Sequence, residues 1–200
     1  EKKYVLLTGN YVPNDEESEI IRAKIKDAIE AWPYPAVVYD FCWRAILLNS
    51  KNISMLQISD NDRQIIYKTK PCALEIVFDP SFWPNKYLKG NELEKWHKNL
   101  FRFVLHFKNL HRSINRDPWY QSVIMRMMKN KLFSSIWIKT EDHKLHPLTT
   151  RFGEKILINP KDTSKRLNFN IFVVPLAEDP RFELEYFSPA DKETLEYFKV

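Results

Sequence analysis

The pattern of apolar and polar positions divides the chain into strand-like stretches toward both ends and helical stretches between them. Over residues 14–32, Ile20, Ile21, Ile25, Ala28, Ile29 and Trp32 recur at helical spacing. Asn14 stands as N-cap with Glu17 three residues on, and Pro33 and Pro35 end the helix. Residues 34–49, YPAVVYDFCWRAILLN, then hold two short apolar runs. Ala36, Val37, Val38 and Tyr39 precede Asp40, whose side chain can bond its own backbone in a turn, and residues 43–48 follow it, so the pair reads as a hairpin. Asn49 and Ser50 cap a short helix with Ile53 and Leu56 on its apolar face and Met55 and Ile58 less regularly placed. Residues 1–13, with one apolar burst at 4–7, read as a terminal strand or arm.

Farther along, residues 59–64 read as a polar loop, and 65–67 and 73–78 as apolar segments. Asp79-Pro80 predicts a brief helix that Pro84 ends. The strongest periodicity lies at 91–112, capped by Asn91 with Glu94 at the box position. Leu93, Trp96, Leu100, Phe103, Val104, Phe107 and Leu110 make one broad apolar face, and Phe101 and Leu105 fall partly outside it. A helix apolar over so much of its girth is buried on two sides or lines a cavity. Asp117-Pro118 opens the next helix, with Trp119, Tyr120, Val123, Ile124, Met127 and Met128 inside. Three strands follow at 155–158, 167–174 and 182–187. In the middle one Phe169, Ile171 and Val173 share a face opposite Phe172 and Val174, as in a central strand. Ser188-Pro189 predicts a last helix with Asp191 at the box position.

Composition narrows the functional classes. The three glycines, Gly9, Gly90 and Gly153, are too far apart for a phosphate-binding loop or dinucleotide fingerprint. The net charge of +5 is spread along the chain, which suits a solvated basic surface better than a nucleic-acid patch. Cys42 and Cys72 have no paired spacing, no apolar run approaches the ~20 residues that span a bilayer, and no signal-peptide core is visible, so a cytoplasmic location is expected. His143 and His146 beside Glu141 and Asp142 match no standard zinc spacing, and His97, His106 and His111 do not share a helix face; no metal site is expected. With no nucleophile elbow and no paired catalytic carboxylates, no enzyme is expected.

The order strand, Asp turn, strand, Asn, short helix resembles the start of PAS-class sensory domains. Pro35-Ala36-Val37, Trp43 and Asn49 at these intervals resemble a narrower group, the MmyB-like ligand-binding domains found behind helix-turn-helix modules in bacterial transcription regulators. RDPWYQSVI at 116–124, then Phe133 and Trp137, His146-Pro147 and Gly153, are similar in order to that group's helical insert and closing segments. The resemblance spans about residues 33–187. It implies an α+β fold: a PAS-like five-stranded antiparallel sheet with a helical insert between strands 2 and 3 and flanking N- and C-terminal helices. Residues 1–32 would be an arm and helix for dimer contact or linkage, and 33–200 the ligand-binding domain.

The chain's 6 Trp and 13 Phe fit the implied apolar pocket, which would accept a fatty acid or similar small molecule and need no further cofactor. Expected ligand-binding residues are Trp43, Phe103, Phe107, Trp119, Tyr120 and Trp137, with Arg44, Arg102 or Arg116 for a head-group carboxylate. As residues alone, each ring also reads as plain core and each arginine as solvated charge. The resemblance implies a homodimer that meets DNA only through a helix-turn-helix, for which the thirteen residues before the first helix leave no room. A haem- or flavin-binding sensor and a protein-interaction domain without a small ligand are the alternatives.

Overall fold

Five strands and nine α-helices form among the residues described by the computed structural model, 11–140, 152–162 and 165–199. In chain order they are α1 (Asp15–Glu30), β1 (Ala36–Asp40), β2 (Ala45–Leu48), α2 (Ser50–Met55), α3 (Asp60–Thr69) and α4 (Ala73–Val77). Next come α5 (Trp83–Tyr87), α6 (Gly90–Leu110), a 3-10 turn (Arg112–Ile114), α7 (Pro118–Met127) and α8 (Lys131–Lys139). The last are β3 (Phe152–Ile158), β4 (Arg166–Pro175), β5 (Phe182–Pro189) and α9 (Lys192–Tyr197). Described residues up to 70 form one compact unit with those from 152 onward, and 71–140 form a second.

The first unit holds the sheet, in the order β2-β1-β5-β4-β3 with every neighbouring pair antiparallel. Four strands, β1-β5-β4-β3, pair in unbroken register. The four-residue edge strand β2 pairs with β1 through Val37–Leu48, Val38–Leu47 and Tyr39–Ala45, with a bulge after Val38. This corrects the expectation of a PAS-like five-stranded sheet: the structure has a four-stranded antiparallel core with a short irregular edge, accompanied by nine α-helices. The α+β class itself stands. The physical reason lies at the turn, where Trp43 takes a left-handed φ of 58° and so leaves the strand it was expected to start.

β4 lies between β5 and β3, as expected for a central strand, but only one face is covered: Leu167, Phe169 and Ile171 are buried while Phe172 and Val174 are exposed. Ile21 and Ile29 of α1 pack against Ala36, Val38, Ile46, Leu47, Phe182 and Leu184, so this helix covers the β2-β1-β5 part of the sheet. The outer edge of β2 is closed by side chains. Arg22 Nε donates to the Ile46 carbonyl at 2.9 Å, and the Tyr67 hydroxyl accepts from Leu48 N–H and donates to Leu48 C=O, both at 3.2 Å. Bonds of this kind remove the free edge that would otherwise pair with another chain.

Several boundaries differ from expectation. Residues 59–64 are the start of α3, because Ser59 caps it and Asp60 and Asp62 suit the positive end of its dipole. Met55 is buried, whereas Ile53 and Leu56 are only partly so. Asp79-Pro80 is a turn in which the Asp79 carboxylate accepts from Ser81 N–H and Oγ–H, and Pro84 lies inside the first turn of α5. α6 begins at Gly90, one residue before the expected cap Asn91, and Gly90 itself turns the chain at φ 54°. Asp191, and not Ser188, caps α9. The arm at 1–10 and the histidine-containing segment at 141–151 lie outside the described residues.

Asn49 ties three elements together while fully buried. Its Oδ1 accepts from Ala36 N–H (3.0 Å) at the start of β1 and from Asn52 N–H (2.9 Å) in α2. Its Nδ2 donates to the carbonyls of Ile29 (3.2 Å), Trp32 (3.3 Å) and Tyr34 (2.7 Å), where α1 ends. Each buried group left unpaired costs about 1–3 kcal/mol. Asn49→Ala is therefore expected to lower stability by about 3 kcal/mol or more in urea unfolding, whereas Asn91→Ala, at an exposed position that caps nothing, should stay within about 0.5 kcal/mol.

Candidate functional site

The helical unit concentrates its rings along α6, α7 and α8. α6 buries Trp96, Leu100, Val104 and Phe107 on one face; Phe103 at the edge of that face, and Phe101 and Leu105 outside it, are partly buried. At its C-terminal end Phe107 stacks on Tyr120 of α7, with centroids 5.4 Å apart and planes 10° from parallel. His111 packs 4.3 Å from Phe107, with Trp119 edge-on at 5.3 Å and its Nδ1 2.9 Å from the Phe107 carbonyl oxygen. A second group joins Phe78, Phe133 and Trp137 at 5.2 and 5.3 Å. Lys108 lies over it, its ammonium 3.9 Å from the Trp137 ring centroid and donating to the Trp137 carbonyl at 2.8 Å. Polar caps fix these helices: Asn130 caps α8 and donates to the Phe78 carbonyl, and Asn85 accepts from the Trp96 indole N–H at 2.6 Å.

The interior so formed is largely apolar; Tyr120 and His111 are buried among its rings, and Lys108 lies partly buried over Trp137. Burial pushes the Tyr120 hydroxyl up to about 12, so it stays protonated and able to donate at neutral pH. A site of rings with a few hydrogen-bonding groups suits an apolar molecule with one polar end.

The sheet unit has a different centre, made of charges around the first turn of α1. Arg181, in the β4–β5 turn and only 3% exposed, donates to Asp179 (2.7 Å) and to Glu17 of α1 (2.8 Å). Lys70, in the left-handed residue that ends α3, reaches Asp15 at 2.7 Å. Arg44 bonds the buried Asp40 carboxylate through Nε and the Pro13 carbonyl through Nη2 at 2.7 Å. A shallow groove of about 590 Å³ at α9, lined by Asn159, Lys165, Lys192, Glu193, Glu196 and Tyr197, carries both signs of charge, and Lys165 lies 3.8 Å from Glu193.

Of the residues expected to bind a ligand, Phe103, Phe107, Arg116, Trp119, Tyr120 and Trp137 lie in the helical unit, and Trp43 and Arg44 in the sheet unit. Phe107, Trp119 and Tyr120 come together in one ring cluster, Trp137 belongs to the second, and Phe103 lies on the partly buried flank. Arg102 and Arg116 are exposed, and Arg44 is held by Asp40 and Pro13. Sequence reasoning missed His111 and Lys108 as members of the ring clusters, although their offsets of four from Phe107 and Val104 put them on the buried flank of α6. It also missed Lys70 and Arg181, which no local pattern marks.

No protein-family model matches the chain, and no curated protein matches it. Among the described residues no group of three or more His, Cys, Asp or Glu is placed to hold a metal ion, and no helix is long and apolar enough to cross a membrane.

The charge centre carries opposed pH dependences. The hydrogen bond from Lys70, with its charge, holds Asp15 below the usual carboxylate value against desolvation, and the bond from Arg181 does the same for Glu17 against desolvation and the lesser opposing charge of Asp179. Their stabilisation is present above the unfolded values of 3.8 and 4.5 and is lost as pH falls through the lowered ones. Asp40 runs the other way: burial raises it more than Arg44 lowers it, so its contribution is full below 3.8 and is lost as pH rises through the raised value. Removing the first pair by Asp15→Asn with Glu17→Gln is expected to flatten the fall in stability from about pH 5 to pH 3, read from urea midpoints at each pH.

Proposed function

We propose that the protein is a sensory ligand-binding module of a bacterial transcription regulator, in the manner of the MmyB-like domains its sequence resembles. The helical unit takes an apolar small molecule such as a fatty acid, and the module carries out no catalytic step. Occupancy acts through α1 on DNA binding by a helix-turn-helix outside these 200 residues, with the module working as a homodimer in the cytoplasm.

The observation that supports this reading is α6, whose apolar side chains extend beyond its buried face: Trp96, Leu100, Val104 and Phe107 are buried, while Phe103 at the edge of that face and Phe101 and Leu105 outside it are only partly covered. An alkyl chain laid against such rings gains about 0.8 kcal/mol for each methylene buried, so length alone supplies affinity. His111 and Tyr120 lie among the rings, and Lys108, which lies over Trp137, is the cation beside them that would meet a carboxylate. Arg44, bound to Asp40, serves the hairpin instead.

Saturated fatty acids of 10 to 16 carbons, titrated against the intrinsic tryptophan fluorescence, test the proposal. Affinity is expected to rise about fourfold per added methylene, and Phe107→Ala to weaken the longest chain by about tenfold or more. Binding that is absent, or unaffected by chain length, sinks the reading.

A further inference from the structure

We infer that α1 is built in two halves, a front turn held by charge and a back half held by apolar packing, and that the front is a latch able to open while the back stays docked. It deepens the sensor reading and rests on it only for what the opening reports.

The division is visible residue by residue. Ahead of Ile21, the single buried side chain of the helix is Ser18, whose hydroxyl donates to the Asn14 carbonyl at 2.8 Å; Ile20 is 48% exposed. Tertiary contacts of this stretch are polar: Pro13 C=O to Arg44, Asp15 to Lys70 and Glu17 to Arg181. From Ile21 onward the helix is held by Ile21, Ile25 and Ile29 on the sheet core, and by Asn49, whose Nδ2 donates to the Ile29 and Trp32 carbonyls.

The receiving side is built to survive opening. Arg181 keeps two bonds to the Asp179 carboxylate, Nε to Oδ1 at 3.0 Å and Nη2 to Oδ2 at 2.7 Å, both within the β4–β5 turn. Arg44 keeps Asp40 within the hairpin, through its backbone N–H at 2.9 Å as well as its guanidinium. Lys70 alone depends on the latch, since its ammonium, 6% exposed, meets Asp15, which is 90% exposed. An ion pair open to solvent on one side is weakened by salt, whereas the apolar half of the helix is not.

Hydrogen exchange read by mass spectrometry on the full chain, without added lipid, tests the latch. In Asp15→Asn with Glu17→Gln, both conservative changes at the helix surface, amides 18–22 are expected to exchange about tenfold faster while amides 27–31 change less than about twofold. In the unaltered protein 1 M NaCl should accelerate 18–22 selectively, and should do so less in the double variant. Equal acceleration in both segments, or none in 18–22, overturns the inference by showing one cooperative helix. Because no lipid is present, this result is independent of the fatty-acid titration, whose failure would remove the sensor reading and leave the latch in place.

Discussion

A single buried carboxamide holds the sheet unit in its arrangement. Asn49 fills every hydrogen-bonding role of its side chain between the end of α1, the start of β1 and the first turn of α2, three backbone segments with orphan groups that meet where water cannot reach. A side chain with both a carbonyl and an NH2 group is required there; an aspartate offers no donor and a lysine no acceptor. Once that junction is set, α1 lies over β1 and β5, Ile21 and Ile29 meet Phe182 and Leu184, and Arg22 falls against the edge of β2.

From this junction the two ends of α1 follow different physics. The end near Asn49 is fixed by buried backbone bonds and apolar contact. The far end is held by ion pairs to Arg181 and Lys70, of which one partner in each pair faces solvent to a third or more. The helical unit divides its roles too, since its rings supply apolar surface while Tyr120 and His111 are buried among them and Lys108 lies over Trp137. In the proposed reading, an apolar ligand site on one unit and a helix with a loosely held end on the other would be the two parts of a sensor, because a ligand moves an equilibrium only by its differential affinity for the two states.

Local signals in the sequence were readable where the chemistry was local. Asn14 with Glu17 forms the expected capping box, Asp40 bonds the N–H groups of Cys42 and Arg44 in its turn, and Asp117-Pro118 opens α7. The alternation in β4 was legible because one face is buried and the other is not. Residues 59–69 were harder: α3 buries little beyond Ile66, so its polar face hid the period. Regular five-strand pairing failed at β2, where the left-handed Trp43 and a bulge shorten the strand, and nothing in an apolar run announces a bulge. In the candidate sites, the rings of α6 to α8 showed through their spacing. Lys70 and Arg181 did not, since their partners lie 55 and 164 residues away.

The central claim, that an apolar ligand in the helical unit changes the state of α1, is tested most directly by comparing hydrogen exchange with and without a saturating long-chain fatty acid. The account predicts slower exchange along α6 to α8 together with an altered rate at residues 18–22. Slower exchange in the helices with no change at 18–22 would contradict it, leaving a protein that binds lipid without passing the signal to its first helix.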